Sequence, residues 1–359
     1  MSVERAKLTR LPISLDFSLD LMKLACKASL EVGNLNGSLK SILDSKLLIN
    51  PLTAKEAEAS SAIEGTQASI SDYFRSELGE PVGAKDIDEL INYRIAMDEG
   101  LKLLDKVPFC GRLVRNLHRV LLRNVRGQEK NCGEWRSGDV WIGPKNCKIE
   151  DAYYVAPLCT EIPDLMKNID DYVHSNNIDP LIQVAIVHYQ FEGVHPFFDG
   201  NGRIGRLIIP LVLKHKGVLD EPVLYISRFL EENRINYYAA LRGVYTEGKW
   251  EEWIRFFLEA VIASARLAQS NVARLRKLYE EYQDIAKSSD LKHAQALVDL
   301  LFLNPYVTRQ KLSKDLKTTH PTVKRLVDYF SSKGVLVDTD PERKRGKLYV
   351  AYNLFSVVE

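Results

Sequence analysis

Apolar residues return every three or four positions through most of this 359-residue chain, with few glycines or prolines between them, and that period commits it to helices packed on helices. It predicts helices over residues 19–32, 38–48, 87–104, 111–122, 158–174, 179–192, 204–216, 228–244 and 249–264, then a charged helical connector over 265–287. Gly33 and Gly37 are expected to separate the first two helices. Asn50-Pro51 opens a further segment that stops at Gly65, a glycine just past the last apolar position. Residues 133–157 break the period: Trp135, Val140, Trp141, Ile142, Tyr153, Tyr154 and Val155 stand between Gly, Pro, Asn and Asp, which predicts two short strands and a loop, a hairpin over a cleft.

A hydrophobic content of 45% with 27% charged residues is that of a soluble globular chain, long enough for two or three domains. The start MSVERAKL lacks a charged-then-apolar leader, and the longest apolar run, residues 204–213, contains Arg206 and Pro210 and is too short to span a bilayer. A cytoplasmic protein with no membrane partner is expected. Cys26, Cys110, Cys132, Cys147 and Cys159 form no close pair of the kind used for zinc or redox chemistry and read as ordinary reduced residues. The net charge of +1 recruits neither nucleic acid nor membrane, although residues 290–359 alone carry 12 basic against 8 acidic side chains.

Chemistry is concentrated in one run, His195-Pro-Phe-Phe-Asp199-Gly200-Asn201-Gly202-Arg203-Ile-Gly205-Arg206, flanked by a helical pattern on each side. Gly200 and Gly202 can take positive φ without a Cβ clash, so that successive backbone N–H groups turn inward as a nest for phosphate. The helix that follows adds its free N–H groups and the positive end of its dipole to the same place. Arg203 and Arg206 lie three apart, on one face, where two guanidinium groups could grip phosphate oxygens. Asp199 offers a carboxylate suited to Mg²⁺, an ion usually held by one or two carboxylates together with substrate phosphates. A neutral imidazole at His195 could take a proton from an attacking hydroxyl. Phe197 is expected to point into the core and anchor the loop.

Competing readings of these residues are plainer. His118, His188 and His215 on apolar helices are expected to be structural. Asp199-x-Asn201 has the look of a calcium loop, but Arg203 occupies the next ligand position and no Glu closes the loop. A P-loop would need Lys followed by Ser or Thr, where this chain has Arg203 followed by Ile204.

HPFFDGNGRIGR resembles, at every defining position, the HxFx(D/E)GNGRxxR signature of the Fic family, and the resemblance extends over roughly residues 19–263. It implies a mainly α fold, a helical Fic core with a small β-hairpin flap. It also implies ATP with Mg²⁺ as cofactor and transfer of AMP to a Tyr, Thr or Ser hydroxyl of a protein target. On matching positions, His195 would be the general base and Asp199 the metal ligand, while Gly200, Asn201, Gly202, Arg203, Gly205 and Arg206 would bind ATP phosphates. Relatives that transfer phosphate instead of AMP replace a loop glycine by lysine, and both loop glycines are intact here. Trp141, Ile142 and Gly143 resemble the flap that docks a target segment by strand pairing. Tyr237 and Tyr238 resemble an aromatic pair on adenosine, though Tyr245 stands where some relatives have Asn.

The segment Ser60-Ser-Ala-Ile-Glu64-Gly65 resembles the family's (S/T)xxxE(G/N) inhibitory motif, with Ser60 and Glu64 four apart on one helix face. Glu64 could pair with Arg206 and exclude or misalign ATP, an inhibition in cis. The same site could also remove AMP, with Glu64 placing a water. Self-modification and a homodimer are both compatible with the resemblance.

The tail predicts helices over 291–303, 308–316 and 321–333 and strands over 335–338 and 348–352, the order of a winged helix. His320, Thr322, Lys324 and Arg325 would lie on a recognition helix, and Arg343, Lys344, Arg345 and Lys347 on a wing. DNA and protein both remain open as its partner, and a rival reading makes the chain a DNA-binding regulator with a nucleotide-sensing core. Expected domains are an N-terminal helical region over 1–110 carrying the inhibitory motif, a catalytic core over 111–264, a connector over 265–287 and a C-terminal winged-helix domain over 288–359.

Overall fold

The computed structural model describes residues 4–40, 45–83, 86–144 and 146–358. In chain order the elements are α1 (Leu19–Lys40), α2 (Ser45–Ile63), α3 (Ile70–Ser76), α4 (Ile87–Leu104), α5 (Gly111–Leu121), β1 (Trp141–Ile142), β2 (Tyr154–Val155), α6 (Ile162–His174), α7 (Pro180–Val194), α8 (Asn201–His215), α9 (Ser227–Glu232), α10 (Arg234–Glu247) and α11 (Trp250–Lys287). There follow α12 (Ala294–Leu303), β3 (Tyr306–Thr308), α13 (Arg309–Asp315), α14 (His320–Ser332), β4 (Val337–Asp338), β5 (Leu348–Val350) and α15 (Tyr352–Val358). The chain is mainly α, as its periodicity requires.

Contacts divide the chain into two units, neither continuous in sequence. One comprises residues 1–36, 59–66 and 88–266, the other residues 37–58, 67–87 and 267–359. Helix α11 runs without a break across the expected boundary between core and connector.

In the first unit α7 is buried on every side, from Leu181 to Val194 with Glu192 alone intermediate, which is why its sequence is apolar all round rather than striped. Asp179 caps it by accepting from the N–H groups of Leu181 and Ile182, with Pro180 at the first turn. Helices α6 and α8 pack on α7, and α5 packs on α6 and α8. The Trp253 indole donates to the Ala185 carbonyl, fastening the start of α11 to α7. Strands β1 and β2 form a minimal antiparallel hairpin, pairing Trp141 with Val155 and Ile142 with Tyr154. Gly143 lets the hairpin close, since a Cβ there would meet the Cys147 sulfur and the Ala152 backbone.

In the second unit β3, β5 and β4 form an antiparallel sheet in that order, beside α13 and α14. Strand β3 was hidden in the sequence by its length of three residues.

Helix α6 starts four residues later and α8 three residues earlier than expected, and three expected breaks or continuities fail outright. Helix α1 continues through Gly33 and Gly37, because Val32, Leu35 and Leu39 keep the helical spacing and are buried, an advantage larger than the roughly 1 kcal/mol a helical glycine costs. Residues 41–44 of the expected second helix lie outside the described residues. Pro51 lies inside α2 instead of opening it. The helix expected over 228–244 is interrupted at Asn233, whose side chain donates to the Phe229 carbonyl at the end of α9.

Candidate active site

Helix α7 ends at His195, which adopts the left-handed conformation at φ 49° and ψ 59°. Its Nδ1 faces the Glu192 carbonyl oxygen at 3.3 Å. A carbonyl only accepts, so Nδ1 carries the hydrogen and Nε2 keeps its lone pair. Burial pushes the imidazole down to about 4, against the carbonyl bond and with help from the Arg136 charge. The ring is therefore neutral at pH 7, and the residue keeps partial access to solvent.

The turn that follows matches the expectation at Gly200 but not at Gly202, which lies in the first turn of α8 without positive φ because that helix already starts at Asn201. Gly200 takes φ +75° and leads into α8. Phe197 is fully buried and stacks face to face on the His118 ring at 3.7 Å. The Asn201 side chain accepts from the Phe197 N–H and donates to the Phe197 carbonyl, clamping the loop on itself. Its backbone N–H remains at the helix start. His118 is fixed in one tautomer, because its Nδ1 accepts from the Gly133 N–H at 2.8 Å, so that Nε2 donates to the Asp199 carbonyl at 3.0 Å. Its structural reading stands, and the structure it holds is this loop.

Arg203 and Arg206 part company. Arg203, expected on phosphate, is buried against the Glu89 carboxylate at 2.8 Å, and Thr66 donates to the same oxygen. Arg206, with a side chain 2% exposed, donates from Nε to the Ser60 hydroxyl at 2.9 Å, and from one terminal nitrogen to the Ser60 carbonyl and to Glu64, each at 2.8 Å. The structure thus brings Ser60, Glu64 and Arg206 together. Gly65 turns the chain out of α2 at φ +91°, leaving Glu64 just past the helix end. Burial alone would raise the Glu64 carboxyl, but the charge and hydrogen bond of Arg206 together with the Arg203 charge hold it below its ordinary value. Glu64 also lies directly over Gly202, where a Cβ would stand 2.4 Å from its carboxylate oxygen.

Asp199 is engaged on both oxygens. One accepts from the Gly200 N–H at 2.7 Å and has Arg203 at 3.6 Å; the other pairs with Lys130 at 3.1 Å. The side chain is 23% exposed, so an ion could reach it. Among the described residues no group of three or more His, Cys, Asp and Glu is arranged to hold a metal without help. A Mg²⁺ at Asp199 would take its other oxygens from phosphate and water, which that ion accepts readily.

Tyr237 is enclosed, its hydroxyl donating to His188 Nε2 at 2.9 Å while His188 Nδ1 donates to the Gly205 carbonyl at 3.0 Å. Burial takes the His188 ring down to about 3, so it bridges as a neutral group. Tyr238, 47% exposed and under the Arg234 guanidinium, is the open member of that pair. On the hairpin, Trp141 and Ile142 are exposed.

Several residues beside the loop escaped the sequence reading. Glu192 has its Oε1 buried with no hydrogen-bond partner among the described residues, and a Cβ on Gly205 would stand 2.2 Å from it. Burial raises the Glu192 carboxyl to about 7, against the pull of Arg206. A lone acid inside an otherwise apolar helix was the available signal. Glu89 and Lys130 carried none, since each lies in an ordinary surface-like stretch, and Arg136 was masked by the aromatic residues around it.

Fold and loop together define a helical protein built around a glycine-bent helix start, the kind of backbone that receives phosphate. The chain belongs to the Fic/DOC family: the Fic/DOC family N-terminal region matches residues 22–102 and the Fic/DOC family domain matches residues 108–213, together just over half the chain. It is 29% identical over 186 residues to the protein adenylyltransferase Fic of Drosophila willistoni and 28% identical over the same length to that of Drosophila melanogaster. These matches cover 50% of this chain and 34% of either relative, so the chain spans about a third of their length. Among solved structures, a Fic family protein from Desulfovibrio desulfuricans superposes with a TM-score of 0.62 at 21% identity, covering 94% of this chain and 97% of that one. A Fic domain containing signaling protein from Bacteroides thetaiotaomicron superposes with a TM-score of 0.54 at 21% identity, over 68% of this chain and 97% of the other. Both likenesses concern the fold.

Proposed function

We propose that this chain is a protein adenylyltransferase that moves AMP from ATP to a Tyr, Thr or Ser hydroxyl of a protein, restrained in cis by Glu64. The observation that carries the reading is the state of His195: neutral, with Nδ1 donating to Glu192 and Nε2 without a partner among the described residues, at the mouth of a glycine-bent helix start. Nε2 takes the proton of the attacking hydroxyl, the hydroxyl oxygen bonds to the α-phosphorus, the bond from that phosphorus to the β-phosphate bridging oxygen breaks, and pyrophosphate leaves. The N–H groups of Asn201 and Gly202 and the dipole of α8 receive phosphate charge. Mg²⁺, when bound with ATP, neutralises part of that charge, and Asp199 is the residue that would hold it. Relatives carrying the name protein adenylyltransferase support the reading.

Glu64 restrains the site by its bond to Arg206. The guanidinium that would receive a terminal phosphate is buried, held by Ser60 and neutralised by a carboxylate, and a phosphate arriving there meets a like charge. The test is incubation with ATP labelled at the α- or the γ-phosphate. Label reaching protein from the α position only, faster with Glu64→Gly and lost with His195→Ala, is the expected result; label from γ only, or from neither, overturns it.

The C-terminal elements run helix, strand, helix, helix, strand, strand, which we read as a winged helix. On the wing, Arg343 pairs with Glu80 and Lys347 with Asp338, leaving Lys344 and Arg345 outside any ion pair among the described residues. Half of the expected basic tip is thereby neutralised, which favours a protein partner over DNA for this unit.

A further inference from the structure

The end of a helix leaves carbonyl groups without partners inside the helix, and the last turn of α7, from which His195 projects, finds them in the hairpin region. The Tyr154 hydroxyl, on β2, donates to the Gly193 carbonyl. Arg136 takes the next three: its guanidinium donates to Val194 at 3.4 Å and to His195 at 2.8 Å, and its backbone N–H to Pro196 at 2.9 Å. The same guanidinium donates to Gly138 at 2.8 Å and to Pro157 at 2.7 Å, in the segments that lead into β1 and out of β2. Its side chain is 2% exposed, and each of its hydrogen bonds among the described residues ends on a backbone carbonyl.

Two facts make this arrangement consequential. The hairpin has only two paired positions, too few to fix its own placement. His195 is a non-glycine residue at positive φ, a strained conformation that persists only when its surroundings hold it from several directions. One buried cation at the negative end of the α7 dipole answers both needs.

We infer that Arg136 is a positioning residue that joins the two roots of the hairpin to the catalytic turn, so that a target segment docked on the hairpin lies in register with His195. The inference rests on the proposed roles of His195 and of the hairpin. Arg136 touches neither ATP nor the hydroxyl; it acts through the carbonyls on each side of the base.

The test uses the full chain carrying Glu64→Gly, alone and with Arg136→Lys, Arg136→Ala or Tyr154→Phe. Unfolding, ATP affinity, AMP transfer and the His195 ring resonances are followed in each. Arg136→Lys and Arg136→Ala are expected to lower kcat about 10²-fold with ATP affinity within about threefold of the parent, and methylguanidinium to restore part of the Arg136→Ala loss. Tyr154→Phe should show a smaller loss of the same kind, and all three should shift the His195 resonances. A folded Arg136 variant that keeps transfer within about twofold, or loses ATP affinity in proportion to transfer, overturns the proposal. Should neither Arg136 variant fold, Tyr154→Phe decides alone: unchanged transfer with unchanged His195 resonances overturns it. If the Glu64→Gly parent transfers no AMP, the functional reading fails, while the His195 resonances still show whether Arg136 orients that ring.

Discussion

The Glu64 carboxylate and the Arg206 guanidinium meet at 2.8 Å directly above Gly202, whose missing side chain is what lets the acid lie there. The pair closes a contact 142 residues long between the end of α2 and the first turns of α8. Burial opposes the charge on Arg206, but Glu64 by charge and hydrogen bond, together with Tyr237 and Glu192, holds the guanidinium above its ordinary basicity.

If that bond restrains the enzyme, Glu64→Gly should raise both ATP affinity and the rate of AMP transfer, by about tenfold or more, the equivalent of about 1.4 kcal/mol. Ser60→Ala leaves the buried Arg206 Nε without its hydroxyl acceptor and should lower stability by about 1–3 kcal/mol. Calorimetric ATP binding and denaturant unfolding on the two variants check this, and an unchanged ATP affinity in Glu64→Gly rejects the restraint.

Acid should destabilise the first unit through its histidines. His118 and His195 are pushed down to about 4 and His188 to about 3, each chiefly by burial, whereas an imidazole in the unfolded chain titrates near 6.5. Across the interval from about 4 to 6.5 the unfolded state binds more protons, so this contribution is present above the interval and is lost as pH falls through it. Melting midpoints at pH 7.5, 6 and 5 should fall in that order, and His188→Gln should flatten the slope.

Glu192 works in the opposite sense. Its carboxyl is raised to about 7, so the folded state favours the protonated form and stability is lost as pH rises from about 4.5 through 7. Glu192→Gln should therefore gain stability at pH 8, on the order of 2 kcal/mol, and little at pH 5. Any inflection near pH 7 in the transfer rate should vanish in the same variant, because His195 is already neutral there. Equal effects of the substitution at both pH values would refute the assignment.

Lys130 occupies the oxygen of Asp199 that an ion would approach. Lys130→Ala should lower the Mg²⁺ concentration needed for half-maximal transfer, and Asp199→Ala should raise it well beyond that of the parent chain. A titration of transfer against Mg²⁺ reads both, and an unmoved Lys130→Ala midpoint would show that the ammonium does not compete with the ion.

Much of the helical frame was legible in the sequence because burial repeats at helical spacing: α4 and α5 fall where the pattern predicts them, and α7 within two residues of it. The hairpin was legible from its aromatic residues between turn formers, and the glycine run after His195 made the bend at Gly200 into α8 legible. Gly33, Gly37 and Pro51 misled because a local breaking tendency of about 1–3 kcal/mol yields to burial of the helix around it.

What the amino-acid order determined by itself was therefore local: the helical period, the bend at Gly200, the four-residue spacing of Ser60 and Glu64. Only the tertiary structure decided partners. Arg203 goes to Glu89 while Arg206 goes to Ser60 and Glu64, Asn201 turns back on Phe197, Tyr237 closes on His188, and Arg136 gathers carbonyls from two elements. The physical reason is that backbone preferences act over a few neighbouring residues, whereas a buried charge or hydroxyl must be matched by whichever group the packing of distant helices brings within about 3 Å, and that match has no signature in the order of the chain.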